Sequence, residues 1–209
     1  MRILLATLAA LLLATPLAAQ APADSASIDA LRRELLEMGR LDQEVREGMT
    51  PERVQDTAYM RRMSSVDSAH TARMREILRV HGWPGISRVG PEAAGAAFLL
   101  VQHTADNELQ RQALEMMEAA PRGEVALPDL ALLTDRVRVR QGLPQLYGSQ
   151  FSAVDGRWIA DPIEDVARLD ERRASMGLPP MADYVRLIAQ MTGGAEVVVP
   201  GWDASAVRP

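Results

Sequence analysis

The stretch AAGAAFLLVQHTADNELQRQALEMMEAA, Ala93 to Ala120, organises the reading of the chain. On a helix turning about 100° per residue its side chains fall into three arcs. Phe98, Val101, Ala105, Leu109 and Met116 form an apolar arc, and Thr104, Asn107, Glu108, Arg111, Glu115 and Glu118 form one that can face water. The third arc sets Gln102, His103, Asp106 and Gln110 among Leu99, Ala113 and Met117. Buried polar groups cost about 1–3 kcal/mol each unless paired, so partners must come from other helices or a ligand. Asp106-Asn107 equally suits a helix N-cap, which would split the stretch into two helices.

Outward from this stretch, more apolar seams are interrupted in the same way. Ser27 can cap a helix to about Glu47, with Ile28, Leu31, Leu35, Met38 and Val45 on one side. Asp42 falls on that seam, and Arg46 follows at the four-residue offset that allows an ion pair. Thr50-Pro51 starts one long or two shorter helices ending at His81, before Gly82-Trp83-Pro84-Gly85. On them Met63, Val66, His70, Met74, Ile77 and His81 align, with Asp67 one turn before His70.

Beyond Pro121-Arg122-Gly123 a helix from Pro128 carries Leu130, Leu133 and Val137 inward to Gly142. Residues 145–154, the turn Asp155-Gly156 and residues 157–160 read as a β-hairpin, because Asp-Gly suits the positive φ angles of a two-residue turn. Asp161-Pro162-Ile163-Glu164 has the form of a capping box and predicts a helix to Met176, on which Asp170 and Arg173 break the apolar seam as a pair three apart. A last helix from Pro180 ends at Gly193-Gly194. The expected fold class is α+β, mostly α: one helical domain over 27–192 with a hairpin near 145–160, then an extended tail over 193–209.

Residues 1–21 read as a secretory signal peptide: Arg2, the apolar run Ile3 to Ala14, and a small-residue cleavage region ending in Ala18-Ala19-Gln20-Ala21. The run is shorter than the roughly 20 residues that cross a bilayer, so cleavage is expected, followed by a spacer over 22–26. The localisation expected is periplasmic or secreted, with no membrane association after cleavage. Absence of cysteine excludes disulfides, thiolate nucleophiles and Cys metal sites. All 23 basic residues are Arg, and the formal charge of −5 becomes one unit more negative once Arg2 leaves with the leader. That balance argues against a nucleic-acid partner, which demands offset of phosphate charge. Aromatics make up only 4% of the chain, so the core must be built from Leu, Val, Ala and the 11 Met.

The candidate catalytic residues are His103, with Asp106 or Asp170 as its acid/base partner. Asp42, Arg46, His70, Gln102, Gln145, Tyr147, Gln150 and Arg173 are candidate ligand-binding residues. A plainer reading accompanies each: carboxylates on a seam beside Arg serve as buried ion pairs or helix caps, and the amides around Tyr147 tie down neighbouring loops. His70, His81 and His103 show no recognised metal spacing, so neither a metal nor another cofactor is assigned. No nucleophile elbow, phosphate-binding Gly loop or dinucleotide fingerprint is present.

Taken together, His81-Gly82-Trp83-Pro84, Gln102-His103, Asp135-Arg136, the run Gln145-Leu146-Tyr147-Gly148-Ser149-Gln150, Pro162-Ile163-Glu164-Asp165 and Asp170-Glu171-Arg172-Arg173 followed by Gly177-Leu178 resemble a bacterial domain-of-unknown-function family, number 6624 in that series. The resemblance spans roughly Leu31 to Tyr184. It implies a single family domain, often exported or tethered, and supplies no reaction. Ser149 stands where members commonly carry Thr, a swap that keeps the hydroxyl.

Two functions follow. One is a semi-buried polar pocket that binds a small polar ligand or peptide, with hydrolysis as one chemistry open to it. The other is a non-enzymatic envelope interaction domain whose partner is a protein and whose polar residues lock helices together.

Overall fold

The structure is a computed structural model and describes residues 25–203. The leader expected at 1–21, most of the spacer and the chain end at 204–209 lie outside the described residues. The fold is α+β and mostly helical, as the seams predict. Helices α1 (Ser25–Arg46), α2 (Pro51–Val54), α3 (Thr57–His81), α4 (Ile86–Val89), α5 (Pro91–His103), α6 (Asn107–Ala119) and α7 (Leu127–Arg140) precede the strands β1 (Phe151–Val154) and β2 (Arg157–Ala160). A 3₁₀ turn at Val166–Arg168, α8 (Leu169–Ser175), α9 (Met181–Met191) and β3 (Val197–Val198) complete the order.

α1 and α5 form the centre of the larger core. Arg32 Nε donates to the Val89 carbonyl just ahead of α5 at 2.8 Å, Gly39 lies against Ala96, and Asp42 reaches His103. These contacts advance together along both helices, so the two run parallel. A Cβ on Gly39 would come within 2.8 Å of the Ala96 Cβ, so close approach requires glycine there. Leu35, Met74, Ile77, Val101, Leu109, Ala113 and Leu133 fill the space where α3, α6 and α7 pack around this pair. Burying such side chains stabilises by about 1.5–3 kcal/mol for each large aliphatic.

The central stretch is two helices, not one. Asp106 caps α6, accepting from the Glu108 and Leu109 amides at 3.1 and 3.2 Å. A short polar side chain at a break satisfies the orphan donors of the next helix, and that outweighs continuity of the wheel. Thr104, placed by the single-helix wheel on the water-facing arc, is consequently buried. α3 is likewise separated from α2, with Asp56 as its own N-cap. α1 begins at Ser25, ahead of the expected cap at Ser27 and inside the expected spacer.

The smaller layer departs further from expectation. The hairpin exists, with Phe151 opposite Ala160 and Asp155-Gly156 at φ 50° and 76° in its turn, but residues 145–150 form a loop and not a strand. The helix expected from Asp161 does not start there. Residues around Ile163 bridge to Gln145, whose amide donates to the Pro162 carbonyl at 2.8 Å and whose carbonyl accepts from Glu164 at 2.9 Å. Long-range backbone pairing takes the groups a helix would have used, and α8 begins only at Leu169. Asp161 accepts from Ser152 Oγ instead of capping. Part of the expected tail is also recruited: β3 pairs parallel to β2, giving the order β1-β2-β3. Ala160, Leu169, Met181 and Val199 make the core beneath this sheet.

Candidate functional site

The parallel pairing of α1 with α5 sets Asp42 under the last residue of α5. His103 Nδ1 lies 2.8 and 3.1 Å from the two Asp42 carboxylate oxygens. Asp42 is 1% exposed, while the His103 side chain is 26% exposed. An ionised carboxylate only accepts, so the proton between them sits on Nδ1, and in the neutral ring Nε2 carries the free lone pair. Among the described residues Nε2 has no hydrogen-bond partner.

Arg46 ties this pair to α3. Its guanidinium donates to Asp42 Oδ1 at 2.7 Å and to Asp67 Oδ1 at 2.8 Å. Burial alone would raise the Asp42 carboxyl, but His103, Arg46 and the Gln43 amide together hold it below its ordinary value. His70 sits beside the same charges, 7% exposed, with Nδ1 buried and without a partner. Burial depresses its imidazole, Asp42 and Asp67 oppose that, and Arg46 adds to it. Gln102, also buried, leaves Oε1 unpaired.

His103 opens onto a cleft of about 500 Å³ between α3 and the α5–α6 junction, lined also by Ser64, Asp67, Thr71, Arg75, Thr104 and Asp106. Two of the hydroxyls are committed. Thr71 Oγ1 donates to the Asp67 carbonyl at 2.7 Å, so Thr104 must donate across the 2.7 Å contact between the two hydroxyls while accepting from the Asp106 amide. Neither is free to be deprotonated. Ser64 and Asp67 keep unused acceptor capacity at the surface, and Asp106 pairs with Arg75 over its rim. The cleft therefore presents an imidazole of fixed tautomer beside hydroxyl and carboxylate acceptors, and its two threonine hydroxyls are both committed as donors.

Of the candidates named from sequence, Asp42, Arg46, His70, His103 and Asp106 come together at or beside this cleft. Asp170 does not: its carboxylate accepts from the Met181 amide at 2.7 Å at the start of α9 and makes no ion pair with Arg173. Gln145, Tyr147, Gln150 and Arg173 form a separate cluster around the loop before β1. Buried Asp135 there accepts backbone N–H groups from Leu146, Tyr147 and Ser149 at 2.7 to 3.2 Å. Burial pushes its carboxyl up, against the downward pull of those amides. The Gln145 side chain donates to the Gln150 and Asp161 carbonyls and accepts from the Gln150 amide. Arg173, 1% exposed, donates to the Pro179 and Tyr147 carbonyls and stacks over Tyr184.

Sequence reasoning missed Thr71, Thr104, Ser64 and Arg75. The signals were the three- and four-residue steps that link Ser64, Asp67, Thr71 and Arg75 in turn, and the capping frame at Asp106, which moves Thr104 inward. Among the described residues no group of three or more His, Asp and Glu is arranged to hold a metal ion.

These features define a mostly helical α+β domain with a carboxylate-backed histidine at the mouth of a polar cleft. The chain belongs to the family of unknown function DUF6624, whose profile matches residues 29–197. No curated protein and no solved structure matches it.

Proposed function

We propose that this domain binds a small polar ligand in the cleft at His103 and hydrolyses it, His103 acting as general base toward water. One observation carries the reading: a carboxylate that is 1% exposed holds Nδ1, leaving Nε2 without a hydrogen-bond partner in a ring that lines the cleft. A buried acid that fixes tautomer and orientation and stabilises the imidazolium is what general-base catalysis requires of a histidine. The committed state of Thr71 and Thr104 favours direct attack by water over a covalent intermediate. Arg75, Ser64 and the free Asp67 oxygen supply hydrogen bonds to a polar substrate. The leader-like residues 1–21 favour an exported protein, periplasmic or secreted, and mass spectrometry of the mature N-terminus tests that.

Screening the purified protein against polar metabolites by thermal shift, then assaying hits for hydrolysis, tests the function. The outcome expected is a stabilising ligand whose turnover is lost in His103→Asn, a variant that keeps a donor for Asp42 but has no basic nitrogen. Equal turnover by wild type and variant overturns the proposal. The alternative, a structural polar network in a protein-interaction domain, is favoured for the second cluster alone, where Asp135, Gln145 and Arg173 are met by the chain's own backbone.

A further inference from the structure

Arginine is the only cationic side chain type in this protein apart from histidine. Among the described residues, each arginine withdrawn from solvent is met by an acceptor, with one exception. Arg46, Arg73, Arg111 and Arg138 face carboxylates, and the remainder face backbone carbonyls. Arg136, on α7, has no hydrogen bond and no ion pair, and its Nε is buried without a partner.

The surroundings of Arg136 deepen the imbalance. Arg140 follows one turn later on the same face, and its guanidinium meets only neutral acceptors, Asn107 Oδ1 at 2.6 Å and the Thr104 carbonyl at 3.3 Å. The carboxylate adjacent in sequence, Asp135, is consumed by the backbone amides of the 146–149 loop. The Tyr184 phenol approaches from α9 and lends its hydroxyl to the Ser149 carbonyl. Two positive charges thus share one face of α7, Arg136 partly withdrawn from water and Arg140 exposed, and neither meets a carboxylate. A guanidinium cannot relieve its burial by losing a proton, as lysine or histidine can, so the buried Nε of Arg136 stays short of an acceptor while its terminal nitrogens, which are not buried, remain open to a ligand.

We infer that Arg136, with Arg140 one turn further along α7, binds an oxyanion, the carboxylate or phosphate group of a ligand. The planar fork of Arg136 presents paired donors to two oxygens, and Arg140 supplies the second charge. This site is independent of the His103 cleft and stands whether or not hydrolysis occurs there.

Isothermal titration of inorganic phosphate and of succinate into the full protein, at constant ionic strength set with chloride, tests the inference. Saturable binding of one of them is expected, and the two arms separate a phosphate from a carboxylate preference. The same anion should raise Tm by on the order of 5 °C at about fifty times its dissociation constant. Arg136→Met should weaken binding at least tenfold, and Arg140→Gln should weaken it less. A Tm rise that persists in Arg136→Met reflects general salting-out and overturns the site. If Arg136→Met does not fold, wild type decides: absence of saturable binding of both anions refutes the inference.

Discussion

Two polar clusters interrupt the apolar interior, and they are built on opposite plans. Around Asp135, Gln145 and Arg173 the acceptors and donors are backbone groups of the loop before β1 and of the turn before α9. Around His103 the partners are side chains from α1, α3 and α5, and ring nitrogens of His70 and His103 remain unpaired. A side chain that satisfies an irregular backbone is part of the fold, since removing it orphans amides that water cannot reach. A network of charged side chains with unused nitrogens on helices that need no such support is free to serve a ligand. The same sequence signature, an ionisable group on an apolar seam, thus covers both uses.

Substitution separates the two plans most sharply in the loop cluster. Asp135→Leu leaves the amides of Leu146, Tyr147 and Ser149 buried without an acceptor, and should destabilise by about 3 kcal/mol or more in urea denaturation. Loss of less than about 1 kcal/mol would break the assignment of that cluster to structure.

Comparing the clusters by pH requires removing a background titration at Asp129. Burial raises its carboxyl from 3.8 to about 6, so the folded state holds a proton between those values that the unfolded state releases. Stability therefore falls as pH rises through that window, and the penalty is complete above it. Asp129→Asn should be more stable than wild type by on the order of 2 kcal/mol at pH 8, with the difference vanishing near pH 4.

In that background His70 reports on the helix cluster. Its imidazole is depressed by burial, so its contribution is complete above the unfolded value of 6.5 and is lost as pH falls through the lower folded value. His70→Phe should remove this acid loss and raise stability at pH 5 by about 1 kcal/mol, measured by thermal melts across pH. An unchanged pH profile would mean that His70 is paired in solution.

The smallest stability effect is expected where function is expected. His103→Asn should alter unfolding free energy by less than about 1 kcal/mol, because the amide still donates to Asp42, while ligand-dependent stabilisation disappears. A loss above about 2 kcal/mol would move His103 into the structural class with Asp135.

Much of this molecule was legible along the chain. Helical seams gave α1, α7 and α9 within a few residues and the end of α3 at His81, Asp-Gly gave the hairpin turn, and the Asp42–Arg46 pair followed from a four-residue offset. Each is local: spacing within one helix or one turn decides it. The capping-box pattern at Asp161 misled because its donors and acceptors were claimed by Gln145, sixteen residues earlier. Asp170 and Arg173 share a helix face by spacing, yet instead of pairing with each other both bind the turn before α9, at the Met181 amide and the Pro179 carbonyl, and Arg173 also reaches the Tyr147 carbonyl.

What the sequence alone determined is therefore the helical α+β class and the inventory of polar residues placed against apolar seams, since both depend on periodicity that a single element expresses. Which of those residues meet across elements was decided only by tertiary packing. Gly39 against Ala96 sets the register that brings Asp42, sixty-one residues away, beneath His103. Hydrogen bonds to distant backbone carry no trace in local spacing, and these separate the side chains that hold the loop from those that face the cleft.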